Sequence, residues 1–164
     1  MNLGSLSANN KNTFITRYQT TGDIAGAIIK AINDSKISAQ TLAPYFKSND
    51  KYKSCKLIFL FCKNLLPYKM ESANSQTART LNRILQDNKK GGDCKHYATI
   101  SASLCKALNI PCYLRLIVQK QGTNQPNHIY TVAKINGDEV IIDAVLKKFD
   151  TEARYNKKYD IKIN

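Results

Sequence analysis

The sequence GGDCKHYATISASLCKAL, residues 91 to 108, says more about the architecture of this 164-residue chain than any other segment. Its large apolar side chains recur at the spacing of one helix face: Tyr97, Ile100, Leu104 and Leu108. We therefore predict a central helix from about Cys94 to Leu108, with Asp93 as its amino-terminal cap. Asn109 can adopt the left-handed turn that ends such a helix, and Pro111 prevents its continuation.

Cys94 is predicted to lie at the amino terminus of this helix, directly after two glycines and Asp93. Unpaired backbone N–H groups and the helix dipole favour a negative charge there, and nearby lysines add to the effect: Lys89, Lys90 and Lys95. A lone cysteine is usually a small buried apolar residue, but this position indicates a reactive thiol. The remaining cysteines are predicted to fill the core: Cys55, Cys62, Cys105 and Cys112.

Two strand-like runs, residues 129 to 135 and 139 to 145, are separated by Asn136-Gly137, the strongest short signal for a β-hairpin. A two-residue turn fixes the register of the two strands. His128 and Asp143 then lie on one face as a diagonal pair, about 7 Å apart at the backbone and within side-chain reach. A three-residue turn would place Asp143 on the opposite face, so this prediction can fail on geometry alone.

Cys94, His128 and Asp143 are the residue types that a cysteine nucleophile, its general base and the orienter of that base require. His96 is the competing base. Two positions after Cys94 on a helix it points about 200° away around the axis, so we predict a surface or capping role. A zinc site is disfavoured, because the usual closely spaced ligand pairs are missing from the set that would form it: Cys94, His96, Cys112 and His128. No metal or other cofactor is implied.

The remaining segments predict several amino-terminal helices followed by strands. The expected helices are Asp23 to Asn33, a short turn at Ser38 to Phe46, Tyr52 to Leu66 and Thr77 to Leu85, and the further strand is Cys112 to Gln119. Residues 1 to 20 are polar and are predicted to form an irregular arm, and residues 21 to 164 a single domain.

The formal net charge of +13 is the most unusual bulk property of the chain. Spread lysine usually forms a solvated surface; the other interpretation is an acidic partner, such as nucleic acid or an acidic protein. Five cysteines without a CxxC pair suit a reducing compartment. Residues 1 to 12 lack the features of a classical secretory signal, and no apolar run is long enough to span a bilayer. We therefore expect a protein that is kept inside a cell or packaged into a particle there.

The chain resembles the transglutaminase-like superfamily of papain-type cysteine enzymes in blocks with matching order and spacing: Gly92-Asp93-Cys94, Ala107 to Pro111, His128-Ile129-Tyr130 and Ile142-Asp143. The resemblance implies an α+β fold in which amino-terminal helices and a central Cys-bearing helix pack on a small antiparallel β-sheet. It also implies Cys94 as nucleophile, His128 as base and Asp143 as the orienter. Further segments resemble a compact subgroup associated with bacteriophage genomes: Leu66-Pro67-Tyr68, Ala78-Arg79-Thr80 and Phe149 to Glu152.

By this resemblance we expect a cysteine protease or amidase that acts on a protein or peptide substrate. Hydrolysis is favoured over cross-linking, because no acceptor pocket or calcium-binding pattern is visible in the sequence. The alternative is a bacteriophage virion or packaging-associated protein that retains the fold, with its basic surface against DNA or acidic capsid proteins. The expected location is the cytoplasm or a virion. The second oxyanion donor is not identified, and Tyr68 and Gln76 are its candidates.

Overall fold

Five α-helices and six strands make up the part of the chain that the computed structural model describes, which comprises residues 10–15, 20–72 and 75–163. The helices are α1 (Thr21–Asp34), α2 (Lys36–Leu42), α3 (Lys51–Leu65), α4 (Leu81–Gln86) and α5 (Cys94–Ala107). The strands are β1 (Asn12–Ile15), β2 (Gln76–Arg79), β3 (Cys112–Val118), β4 (His128–Ile135), β5 (Asp138–Ile142) and β6 (Lys157–Lys162). A short 3-10 helix, Ala43–Phe46, follows α2. The fold is of the α+β class that the resemblance implies.

The larger sheet has four antiparallel strands in the order β5-β4-β3-β6. Its β4–β5 hairpin turns at Asn136-Gly137, whose φ angles of 53° and 96° are the positive values that a type I′ turn needs. Ile135 pairs directly with Asp138 across this turn. The predicted two-residue turn and the register that follows from it are therefore confirmed.

Helix α5 lies at the centre of the structure, because it contacts β3 and β4 as well as all four of the other helices. All of its residues from Lys95 to Cys105 are buried. The main core cluster joins α5 to α3, to α4 and to the hairpin, and its fully buried members include Ile58, Leu81, Ile84, Ile100 and Leu104. The predicted central helix is thus confirmed, and its position fixes the direction in which its amino terminus points.

Local sequence signals determine where the helices begin and end. Thr20 caps α1, because its hydroxyl accepts a hydrogen bond from the N–H of Asp23 while the Asp23 carboxylate accepts one from the N–H of Thr20. Asp50 caps α3 through the N–H of Tyr52. Helix α3 ends shortly before Pro67, which disfavours helical backbone in the residue that precedes it.

The segment from Thr77 to Leu85 is not the single helix that the sequence pattern predicted. Residues Gln76–Arg79 form β2, which pairs antiparallel with β1, and α4 begins only after Thr80. The Thr80 hydroxyl accepts a hydrogen bond from the N–H of Arg83, and a capping residue has extended backbone. The helix therefore cannot extend upstream of this cap.

The predicted irregular arm contains a strand, so the prediction is wrong for residues 12 to 15. Strand β1 forms because β2 offers an antiparallel partner and because Ile15 is buried against Ala31 and Ala78. Residues 1–9 and 16–19 of the arm lie outside the described residues.

The cysteines of the chain are all free thiols. Cys55, Cys62 and Cys105 are buried in the core as predicted, and Cys112 is half-buried against it at the start of β3. Within the described ranges, no helix combines the length and the apolar character needed to cross a membrane.

Candidate active site

Cys94 is the first residue of α5, and its half-buried side chain lines a cavity of about 330 Å³. The helix begins here because Asp93 caps it. Asp93 Oδ1 accepts a hydrogen bond from the N–H of Lys95 at 3.1 Å, and the N–H of Asp93 donates to Nδ1 of His96 at 3.1 Å. The predicted cap is confirmed, and it places the thiol at the positive end of the helix dipole.

The carboxylate of Asp143 contacts the imidazole of His128, with 2.7 Å between Oδ2 and Nε2. Asp143 directly follows β5 and is 2 % exposed, and its other oxygen accepts a hydrogen bond from the N–H of Val145 at 3.1 Å. Because Nε2 of His128 faces the carboxylate, Nδ1 remains for a different partner. The contact that the hairpin register predicted is confirmed, and the buried carboxylate has the partner that burial requires.

The imidazole of His128 also interacts with the thiol of Cys94, and both side chains line the same cavity. Burial by itself would lower the pKa of His128, but hydrogen bonds to Asp143 and to Cys94 outweigh it and raise that pKa to about 9. The ring is therefore protonated at neutral pH and can pair with a thiolate. The structure brings Cys94, His128 and Asp143 into one continuous series of contacts.

The lysines close to Cys94 in sequence do not provide the positive charge that the sequence analysis expected beside the thiol. Lys95 is buried, and its ammonium contacts two carboxylates of a separate cluster. Lys89 and Lys90 are exposed, and Lys90 pairs with a surface carboxylate at 3.1 Å. The cation next to the thiol is instead the imidazole of His128.

Gly91 and Gly92 are required because another segment of the chain runs directly against them. The N–H of Gly92 donates to the carbonyl of Pro67 at 3.1 Å, and the carbonyl of Gly92 accepts from the N–H of Lys69 at 2.9 Å. A Cβ on Gly92 would come within 2.6 Å of a neighbouring side chain. Gly91 has a φ of 77°, a left-handed conformation that favours glycine. This backbone bridge holds Tyr68 beside the start of α5.

The side chains of Tyr68 and Gln76 line the same cavity as Cys94. The Tyr68 ring stacks on the Tyr97 ring at 6.4 Å, and the pKa of Tyr68 is raised by burial and then by the negative charge of Cys94. The N–H of Lys95 already donates to the capping carboxylate, whereas the N–H of Cys94 has no acceptor within the helix. The Cys94 N–H is therefore the backbone candidate for binding an oxyanion, and both side-chain candidates remain.

A second cluster of histidine and carboxylates lies at the start of α5, and Glu71 and Asp93 of this cluster also line the cavity. His96 is fully buried, so the predicted surface position is wrong. It does cap the helix, which is the other role that was predicted for it. Its Nδ1 lies 3.1 Å from Asp93 Oδ1, and its Nε2 lies 3.3 Å from Thr77 Oγ1 and 3.8 Å from Glu71. Burial lowers the pKa of His96, which keeps the ring neutral. Sequence reasoning missed Glu71, which lies in a loop with no recognisable pattern around it.

The ligand atoms of Glu71, Asp93 and His96 all lie within 4.8 Å of one another, which is close enough to consider a metal ion. The ammonium of Lys95 contacts both carboxylates, however, and so takes the place of a cation. Burial acts to raise the pKa of Asp93, but His96 and Lys95 lower it to about 2. We interpret this cluster as a structural ion-pair network. The zinc set considered from sequence is not assembled, because His96 faces this network and His128 faces the cavity.

Comparisons with known proteins give the family and the fold of the chain. A family model of the transglutaminase-like superfamily matches residues 40–158, which include the whole candidate site. A solved structure from Cytophaga hutchinsonii, titled a putative cysteine protease, has a TM-score of 0.51 and 23% identity and covers 81% of this chain. The present chain spans 48% of that protein's length, and at this identity the likeness shows the fold alone. No curated protein matches the chain. Because the family model covers well over half of its residues, the chain belongs to the transglutaminase-like superfamily.

Proposed function

We propose that the protein is a cysteine enzyme that hydrolyses amide bonds, with Cys94 as nucleophile, His128 as general base and acid, and Asp143 as the orienter of the imidazole. The observation that carries the proposal is the position of the His128 ring between the Asp143 carboxylate and the Cys94 thiol. Membership of the superfamily and the shared fold support a cysteine enzyme. Hydrolysis of an amide is the finer step that we add.

In the proposed reaction, His128 holds the proton of the Cys94 thiol, and the thiolate attacks the carbonyl carbon of the substrate. The imidazolium then gives this proton to the leaving amine, which departs as the C–N bond breaks and leaves a thioester. His128 next takes a proton from water, whose oxygen attacks the thioester and releases the acid and the thiol. Asp143 keeps Nδ1 directed at the sulfur throughout, because it fixes the opposite edge of the ring.

The oxyanion of each tetrahedral intermediate would be bound by the N–H of Cys94 and by a second donor from the cavity wall. Tyr68 is the better of the two side-chain candidates, because the backbone bridge to Gly92 fixes its position beside α5. Replacement of Tyr68 by Phe would remove the hydroxyl and leave the ring stacked on Tyr97. Gln76 serves as the comparison, since it lines the same cavity from strand β2.

The test compares the alkylation rates of two half-buried thiols in the same molecule. The protein is treated with iodoacetamide at pH 7, and the modified cysteines are identified by mass mapping over time. We expect Cys94 to react at least about 10-fold faster than Cys112, because an imidazolium stabilises its thiolate. Equal rates, or faster labelling of Cys112, would contradict the proposal. Cleavage products formed with the wild type and missing with Cys94→Ala would then identify the substrate.

A second candidate function uses the basic surface rather than the thiol. Helix α3 carries exposed lysines along its length: Lys51, Lys53, Lys56 and Lys63. Such a surface would suit DNA or an acidic capsid protein if the chain is a component of a bacteriophage particle. This function predicts binding to DNA that weakens steeply with salt and is unchanged by Cys94→Ala. Loss of binding in Cys94→Ala, or binding that ignores salt, would reject it.

A further inference from the structure

A second cavity, of about 480 Å³, lies beside the candidate active site and is lined mainly by polar and charged side chains. Four of the lining residues are cations and two are carboxylates: Lys69, Arg79, Arg83 and Lys90, and Glu71 and Asp87. Hydroxyl groups of Ser72, Ser75 and Thr77 complete much of the wall. The lining therefore carries more positive than negative charge, together with neutral hydrogen-bond donors.

Arg79 is the buried member of this lining, with only 6% of its surface exposed. Its Nη2 donates to the carbonyl of Gly91 at 2.7 Å, whereas its Nε has no hydrogen-bond partner among the described residues. The carboxylate that pairs with it, Glu71, is 3.9 Å away. Both Glu71 oxygens already accept short hydrogen bonds of 2.6 Å from Thr77. Burial lowers the pKa of Arg79, as expected for a guanidinium whose charge is incompletely compensated.

The cations at the rim are also short of carboxylates. Arg83 and Lys90 share one acidic partner, Asp87, at 2.7 and 3.1 Å. Lys69 is exposed, and no carboxylate of the described residues lies within ion-pair distance of it. Arg79 and Lys69 could therefore bind an added anion without giving up a strong ion pair, and Lys90 could share its charge between that anion and Asp87.

The position of this cavity connects it to the candidate active site. Met70 and Glu71 belong to the walls of both cavities, so the two cavities are direct neighbours. Gly91 lines the charged cavity and precedes Cys94 by three residues, which limits their Cα separation to about 11 Å. An extended peptide advances about 3.3 Å per residue. A group held in the charged cavity would thus lie within about three residues of a carbonyl at Cys94.

We propose that the charged cavity is a subsite for a carboxylate of the peptide substrate, close to the bond that is cut. The proposal rests on the proposed hydrolase function and adds a preference for acidic peptides to it. The carboxylate can come from an acidic side chain or from a free carboxyl terminus, since both present the same two oxygens to a guanidinium and ammonium groups.

The experiment measures the binding of three small peptides to full-length Cys94→Ala protein, followed by amide chemical shifts of Gly91 and Ser75. The peptides are acetyl-Ala-Glu-Ala-amide, acetyl-Ala-Gln-Ala-amide and acetyl-Ala-Gln-Ala with a free carboxylate. We expect at least one carboxylate peptide to bind at least five times more tightly than the neutral peptide. The peptide that gains affinity identifies the source of the carboxylate, and equal affinity for all three would overturn the proposal.

Charge-matched variants distinguish a built subsite from the overall positive charge of the protein. Lys69→Gln with Lys90→Gln removes two exposed cations of the cavity, and Lys53→Gln with Lys56→Gln removes two exposed cations of α3. We expect the first pair to abolish the preference for carboxylate and the second pair to preserve it. Equal losses in both pairs would reject the subsite. If Cys94 is alkylated fast but the protein shows no preference for carboxylate peptides, the subsite proposal is rejected and the hydrolase proposal stands. If the protein prefers carboxylate peptides but Cys94 is alkylated slowly, the hydrolase proposal is rejected.

Discussion

The two histidines of the chain both follow Cys94 in the sequence, and each contacts an aspartate, yet their pKa values move in opposite directions. Both rings are buried, and burial acts to lower the pKa of each. Asp143 and Cys94 outweigh burial for His128 and raise its pKa to about 9, whereas the pKa of His96 stays below its usual value.

The difference lies in how much of each aspartate's charge reaches its histidine. The negative charge of Asp93 is partly neutralised, because its carboxylate also contacts the ammonium and the backbone N–H of Lys95. The positive charge of Arg79 lowers the pKa of His96 further. Asp143 directs Oδ2 at His128 and satisfies its other oxygen with a neutral N–H. A contact between histidine and aspartate is therefore not sufficient to make a base; the carboxylate must also lack a competing cation.

The largest expected effect comes from removing that competing cation. In Lys95→Met the buried carboxylate of Asp93 and the half-buried carboxylate of Glu71 would lose their shared ammonium. Loss of one partner of a buried ion pair costs about 3–5 kcal/mol, so we expect a decrease of that size in the free energy of unfolding, measured with urea. Lys53→Met on the exposed face of α3 is the matched control and should change it by less than about 0.5 kcal/mol. Similar values for both variants would mean that the buried network does not stabilise the fold.

The next effect concerns the thiol. In His128→Ala, Cys94 loses both the cation beside it and the base that would accept its proton. We expect its alkylation by iodoacetamide to slow by about 10- to 100-fold. His96→Gln is the control, because it changes the buried histidine, and the rate in its folded fraction should stay within about threefold of the wild type. The comparison fails if His96→Gln slows alkylation as much as His128→Ala.

A titration of the two rings compares them directly. The chain has two histidines, so the Cε1–H signals in a proton NMR spectrum can be assigned with one variant. We expect His128 to titrate near pH 9 and His96 to stay neutral down to below pH 6.5. Asp143→Asn removes the carboxylate that raises the pKa of His128, and its midpoint should fall by about 1 unit or more. A midpoint that stays near 9 in Asp143→Asn would show that Cys94 alone holds the proton on the ring.

The contact between His128 and Asp143 could be predicted from sequence, whereas the buried network around His96 could not, and the reason is physical. His128 and Asp143 are joined by a hairpin with a two-residue turn, and strand periodicity then determines which side chains share a face. The cap at Asp93 was also predictable, because a capping residue acts on its own helix. Local rules therefore gave the contact between His128 and Asp143 and the start of α5.

The buried network depends on contacts that no local rule determines. Glu71 and Thr77 reach His96 because β2 forms where the sequence pattern predicted helix, and β2 forms because a distant segment, β1, pairs with it. The position of Tyr68 depends in the same way on its backbone bridge to Gly92. Lys95 was expected to place its charge beside the thiol from sequence proximity, but its ammonium instead pairs with the carboxylates of Asp93 and Glu71, which stabilise its charge in a buried setting.

The smallest expected effect tests whether the comparison must include a second neighbour of His128, the ring of Tyr130. The ring of Tyr130 lies 5.6 Å from that of His128, and its hydroxyl donates to Glu152 at 2.7 Å. Glu152 also pairs with the buried Arg115 at 2.6 Å. Tyr130→Phe removes one neutral donor and leaves this ion pair in place. We expect a loss of about 1 kcal/mol in the free energy of unfolding.

The titration of His128 in Tyr130→Phe should move by no more than about 0.3 pH unit, because the carboxylate that sets its pKa is untouched. Tyr113→Phe is the matched control, since the Tyr113 hydroxyl donates to Glu139 at 2.6 Å in the same Arg115 network but makes no ring contact with His128. A shift of a full unit in Tyr130→Phe and none in Tyr113→Phe would extend the environment of His128 through the Tyr130 ring to Glu152. A shift of that size in both variants would mean that the charge of Arg115 contributes to the pKa of His128. Asp143 would then not act alone in raising that pKa.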